Sequence, residues 1–197
     1  MEQKVLCYPE PRLRAVAAPV PGITAEIRRL AEEMFGVMNG AHGIGLAAPQ
    51  VGVGLRLFVA SIVPDGGQEP RKEAYVNPVI VARGGKVREE EGCLSFPDLF
   101  TPVERFEDVT VEYVALGGES RRVTAAGMHA RVLQHEIDHL DGVLIIDRMS
   151  PAEKKRWAQL VAGLEEQFAA GRGPAGAVEG ASAGRRSGAR GRGGAAL

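Results

Sequence analysis

The chain has 197 residues, 45% of them hydrophobic and 25% charged, which is enough apolar material for one ordinary core with an appendage. No run approaches the roughly 20 apolar residues of a membrane span, and the opening Met1-Glu2-Gln3-Lys4-Val5-Leu6-Cys7 lacks a signal-peptide stretch. The net charge of −1 divides unevenly: residues 171–197 hold five Arg against one Glu, +4, which leaves −5 on the rest.

A cytoplasmic protein is therefore expected, with no membrane partner and no specific nucleic acid on its mildly acidic body. The two cysteines, Cys7 and Cys93, are far apart in sequence and read as free thiols of a reducing compartment.

Thr24 suits an N-cap, and Ile27, Leu30, Ala31, Met34, Val37 and Met38 recur at helical spacing up to Asn39-Gly40. Segments 55–61, 75–81 and 109–116 are short, rich in Val, Leu and Tyr, and separated by turn signals such as Pro64-Asp65-Gly66-Gly67. They read as strands. A second helix is expected over 124–140, with Gly142 in the place of a C-cap glycine. A third starts at Ser150-Pro151-Ala152-Glu153, a capping box with Pro at the first helical position, and carries an apolar stripe of Trp157, Leu160, Val161, Leu164 and Phe168.

Strands bunched between the first two helices, rather than alternating with them, favour an α+β fold. Its antiparallel or mixed strands pack around a central second helix, flanked by an N-terminal and a C-terminal helix. Residues 171–197 hold nine Gly and almost no large apolar side chain, so the tail is expected to be disordered. An RGG-like contact with RNA, giving a transient ribosome association, is the sharper reading of that tail.

The second helix carries His135-Glu136-Ile137-Asp138-His139. Four-residue spacing sets both imidazoles on one helix face, one turn apart, where they can bind one metal ion. Glu136, at the edge of that face, can reach a water at the ion's open position. Met128 and Val132 share the side of His135 and His139, whereas Leu133, Ile137 and Leu140 lie opposite. A small apolar pocket beside the metal follows.

A catalytic site needs one more protein ligand. Glu153, Glu165 and Glu166 lie downstream, and Cys93 upstream in Glu91-Gly92-Cys93-Leu94-Ser95. Ile145 stands where a metzincin would need His, which excludes that class. Three readings stay open on the residues alone: a peptidase using Glu153 or Glu165, a site using Cys93, and a closed structural site with a fourth ligand.

Together, Gly43-Ile44-Gly45-Leu46-Ala47-Ala48-Pro49-Gln50, Glu91-Gly92-Cys93-Leu94-Ser95 and Gln134-His135-Glu136-Ile137-Asp138-His139 resemble the peptide deformylases in order and spacing. The resemblance runs from about Val5 to Phe168, within a catalytic domain of residues 1–170, and departs only where Pro49 stands for a frequent Thr. It implies hydrolysis of the N-formyl group from the initiating methionine of new polypeptides, with release of formate.

Carried over by the same resemblance, Cys93, His135 and His139 are the metal ligands. The ion is Fe(II), with Zn, Ni or Co accepted. Glu136 moves the proton, and the Gln50 amide and Leu94 N–H hold the developing negative charge on the formyl oxygen. Ile44 and Gly45 bind the substrate backbone by strand addition. Ile44, Met128, Arg131, Val132 and His135 form the methionine pocket, with Arg131 lining it by its methylenes and keeping its head group in water. Glu91 is expected to bind an Arg, Asp138 to be a structural hydrogen-bond partner, and His42 and His129 to be no ligands.

Overall fold

The structure is a computed structural model that describes residues 4–63 and 69–171. Apart from Gly171, the tail expected to be disordered lies outside the described residues.

Helix α1 (Ala25–Gly40) begins where expected, the Thr24 hydroxyl accepting the Ile27 N–H. Five strands, β1 (Gly45–Ala47), β2 (Leu57–Ile62), β3 (Arg71–Gly84), β6 (Asp108–Val114) and β7 (Ser120–Ala126), form one antiparallel sheet in the order β1-β2-β3-β6-β7. Strands β4 (Val87–Cys93) and β5 (Phe96–Arg105) make a separate hairpin. Helices α2 (Gly127–Leu140), α3 (Ile145–Arg148) and α4 (Pro151–Ala169) follow.

Alternation along β2 explains the layering. Leu57 and Val59 face α1, packing with Ala31, Met34 and Met38, while Phe58 and Ala60 face α2, packing with Ala130, Leu133 and Ile137. A strand buried on both faces is an unbroken apolar run, as Leu57-Phe58-Val59-Ala60 is. On the α2 side Phe58 stacks on Tyr75, with centroids 4.5 Å apart, and Tyr113 meets Tyr75 at a tilt, with centroids 4.4 Å apart. The hairpin has its own cluster, in which Phe96, Leu99 and Val103 meet Leu13, Leu144 and Met149, and Trp157, Leu160, Val161 and Leu164 of α4 close over it. Phe168 does not join it and stays 44% exposed.

Two expectations need correction. The helix expected from residue 124 starts at Gly127, because Thr124 and Ala125 are spent on β7, paired with Thr110 and Val109. The backbone turns from strand to helix at Gly127, whose φ of +54° suits glycine. Only the tip of the β4–β5 hairpin carries a sequence signal, Glu91-Gly92-Cys93-Leu94-Ser95 reading as a strand end that turns through a glycine, and the strands on either side of it are not expected. Val87-Arg88-Glu89-Glu90-Glu91 has almost no apolar content, and β5 contains Pro97 and Pro102, so neither stretch carries a strand pattern. Among the described residues no helix is long and apolar enough to cross a membrane.

Candidate metal centre

Every residue of α2 from Ala130 to Leu140 is buried, including the whole histidine motif. Cys93 ends β4, after a register shift at Gly92 that lets the hairpin turn. That shift brings the thiol to 3.3 Å from His139 Nε2, and the ligand atoms of Cys93, His135 and His139 all lie within 4.8 Å of one another. Neither glutamate of the peptidase reading joins them: Glu153 accepts from the Thr101 hydroxyl at 3.2 Å, and Glu165 from the Tyr8 hydroxyl at 2.6 Å.

The orientation of these groups fits a metal ion. His135 Nδ1 meets the Glu91 carboxylate at 3.1 Å, which leaves Nε2 as the lone-pair nitrogen, and that atom is buried with no hydrogen-bond partner among the described residues. Burial, and after it the charges of His135 and Arg105, hold His139 well below the ordinary histidine range, so its ring is the neutral, ligating form. Burial pushes the Cys93 thiol up. A thiolate in such a place is maintained by a cation. Burial alone would raise Glu91 as well, but its bonds with His135 and Arg105 outweigh that and hold it well below the usual carboxylate range.

Glu136 is fully buried, and among the described residues neither carboxylate oxygen has a partner. Desolvation raises it well above the ordinary value. Its room comes from the glycine motif: a Cβ on Gly45 would overlap Glu136 Oε1, and one on Gly43 would lie 2.7 Å from a methyl of Leu94. Gln50 is equally buried. Its Oε1 accepts the Ala47 N–H at 2.8 Å, which turns Nε2 toward Ser95 Oγ at 3.2 Å and Cys93 Sγ at 3.9 Å. The site thus gathers Gln50, Cys93, His135, Glu136 and His139, with Leu94 between Cys93 and Ser95.

The expected pocket residues divide. Val132 is buried, Ile44 packs against the α2 side of the core, and Met128 is 46% exposed at the start of the helix. Arg131 differs from expectation. Its side chain is only 1% exposed, and Nη1 donates to Glu91 Oε1 at 2.6 Å and to the Val103 carbonyl at 3.1 Å. The head group is not in water, because a buried carboxylate and a backbone carbonyl solvate it instead.

The profile described as polypeptide deformylase matches residues 2–155. The chain belongs to the polypeptide deformylase family. The peptide deformylase of Rhizobium meliloti is 47% identical over 152 residues, which cover 76% of this chain and 86% of that protein. That of Alkalilimnicola ehrlichii is 44% identical, over 77% and 84%. Among solved structures, a peptide deformylase from Legionella pneumophila superposes with a TM-score of 0.76 at 38% identity, over 86% of this chain and 98% of that one. The peptide deformylase 1B of Arabidopsis thaliana does so with 0.80 at 34%, over 87% and 96%.

Several supporting residues of this deformylase carry no signal in the sequence. Leu6 N–H bonds to the Gln50 carbonyl at 2.7 Å and Tyr8 N–H to that of Ser95 at 2.9 Å, so the N-terminal segment laces two motifs together. Arg105, at the end of β5, and Arg148, at the end of α3, belong here too.

Proposed function

We propose that this deformylase-family chain uses Cys93, His135 and His139 to hold one divalent ion, Fe(II) by family resemblance, within a catalytic domain of residues 1–170 built around α2. The enzyme hydrolyses the N-formyl group of an N-terminal formylmethionine, forming formate and a free amine. The meeting of three metal-binding atoms with an unpartnered, fully buried Glu136 carboxylate carries this reading. When bound, the ion supplies Lewis acidity, polarising the formyl carbonyl and lowering the pKa of water toward neutrality.

The chain's own groups do the rest. Glu136 accepts the proton of the attacking water as its oxygen bonds to the formyl carbon, then delivers a proton to the nitrogen as the C–N bond breaks. The Gln50 amide, oriented by Ala47, and the Leu94 N–H donate to the formyl oxygen as it becomes negative. Strand β1 ends the order of its sheet, which supports pairing of the peptide backbone with Ile44 and Gly45. Met128, Val132 and the buried stem of Arg131 offer the methionine side chain a wall. A ribosome contact through the Arg-rich tail, and a cytoplasmic location, suit an enzyme of nascent chains.

The decisive experiment is Glu136→Gln in anaerobically purified protein. It should keep one ion per chain and lose at least a thousandfold in formate release, roughly the contribution of a positioned acid–base group. Undiminished turnover would overturn the role given to Glu136.

A further inference from the structure

The face of α2 that carries Gln134, Ile137 and Asp138, with Asp141 just past the helix end, borders a cleft of about 530 Å³, whose wall also includes Arg56, Arg105 and Arg148. At its edge Arg148 grips Asp138 with two nitrogens, Nε to Oδ2 at 3.0 Å and Nη2 to Oδ1 at 2.5 Å. From the inner side Arg105 Nη1 reaches the same carboxylate at 2.5 Å. The other two nitrogens of Arg105 fork onto Glu91, Nε to Oε1 at 2.8 Å and Nη2 to Oε2 at 3.0 Å. Glu91 Oε2 meets His135 Nδ1 at 3.1 Å.

These contacts form one unbroken line of charge-assisted hydrogen bonds from Arg148 through Asp138, Arg105 and Glu91 to His135. Side-chain exposure falls along it from 45% at Arg148 to 12% at Asp138, 4% at Arg105 and 0% at Glu91. Each link removes a freedom. The Glu91 carboxylate sets the His135 ring plane only if it cannot rotate, and a planar guanidinium fork stops that rotation. The fork is held in plane by Asp138, and Asp138 is held from outside by Arg148.

Charge alone would not require the outermost member. Without Arg148, Arg105 and Arg131 still balance Glu91 and Asp138, since Arg131 Nη1 lies 2.6 Å from Glu91. What Arg148 adds is geometry.

We propose that Arg148, Asp138 and Arg105 are positioning residues of the metal centre, acting through Glu91 on His135, with Arg148 as the outer clamp. The proposal rests on the metal reading above.

The test follows loss of cobalt to a chelator from the full-length Co(II)-loaded protein, read by the thiolate-to-cobalt absorption, with melting temperature measured alongside. Arg148→Ala should release the ion roughly three- to tenfold faster, below the 10–100-fold typical of a residue touching a ligand directly. Arg148→Lys, with one point donor, should fall between. Arg105→Lys, which keeps the charge and loses the fork, should release it faster than Arg148→Ala. If Arg105→Lys fails to fold, Arg148→Ala still decides.

Arg56→Ala is the control. It empties the same cleft of a cation, but its partner at 2.6 Å is Asp141, off the line, so release should match wild type. A wild-type release rate in Arg148→Ala, or equal acceleration in Arg56→Ala, overturns the proposal. Cobalt binding by Cys93→Ala as tight as wild type would instead overturn the metal reading.

Discussion

Gly45 owes its missing side chain to Glu136. The sequence alone suggests that a stripped strand admits a peptide, but the space a Cβ would fill is already taken by the Glu136 carboxylate. Gly45→Ala should therefore displace that carboxylate and leave the ligands alone. The ion content should stay at wild type while kcat/KM on a formyl-Met peptide falls by about a hundredfold, the order expected for a group displaced by about 1 Å. Full activity in a folded Gly45→Ala chain would show that this contact does not place Glu136. Cys93, His135 and His139 could be picked out as candidate ligands because each stands in a short motif, and the fold brings their ligand atoms within 4.8 Å of one another. The fate of Arg131 was not, since its partners at Glu91 and Val103 lie 40 and 28 residues away.

Helix α3 is only four residues long, and its start depends on one carboxylate. Asp147 Oδ2 accepts the Leu144 N–H at 2.7 Å and also meets Arg14. Burial works against ionisation, but the Arg14 and Leu144 donors more than reverse it, so the folded pKa is lowered. A lowered carboxylate contributes stability that is present above its unfolded pKa, about 3.9, and lost as pH falls through the folded value. The melting temperature of Asp147→Asn should accordingly lie below wild type at pH 7, with the gap closing as pH falls below about 4. A gap that is constant with pH would exclude Asp147 as its source. Helices α1 and α4 could be placed from caps and periodicity. The β4–β5 hairpin could not, because its register is set by Phe100 against Gly92 and by the cluster under α4, contacts between distant segments.

The fold closes around groups that want a cation: Cys93, His135, Glu136 and His139 are buried, and several of their polar atoms have no partner among the described residues. Chelating the ion should lower the melting temperature by roughly 5–10 °C, given about 2.7 kcal/mol of linkage at a hundredfold excess over Kd and 2–4 °C per kcal/mol in a chain of this size. An ion added after refolding should restore it, whereas a melting temperature indifferent to chelation would mean the ion does not stabilise the fold. The family fold and its three motifs could be read in advance, while the ion pairs that link the motifs appear only once the chain is folded. The burial of α2 also carries a consequence for biosynthesis. Cys93 leaves the ribosome 42 residues ahead of His135 (135 − 93), roughly 2–8 s at 5–20 residues per second. During that interval its thiol has neither imidazole beside it. The helix, with six polar or charged residues buried, gains its stability from the sheet that precedes it. The metal centre is thus closed by a helix made after its sheet, and when the second histidine emerges the chain still lacks Arg148 and α4, which brace that centre and the hairpin beside it.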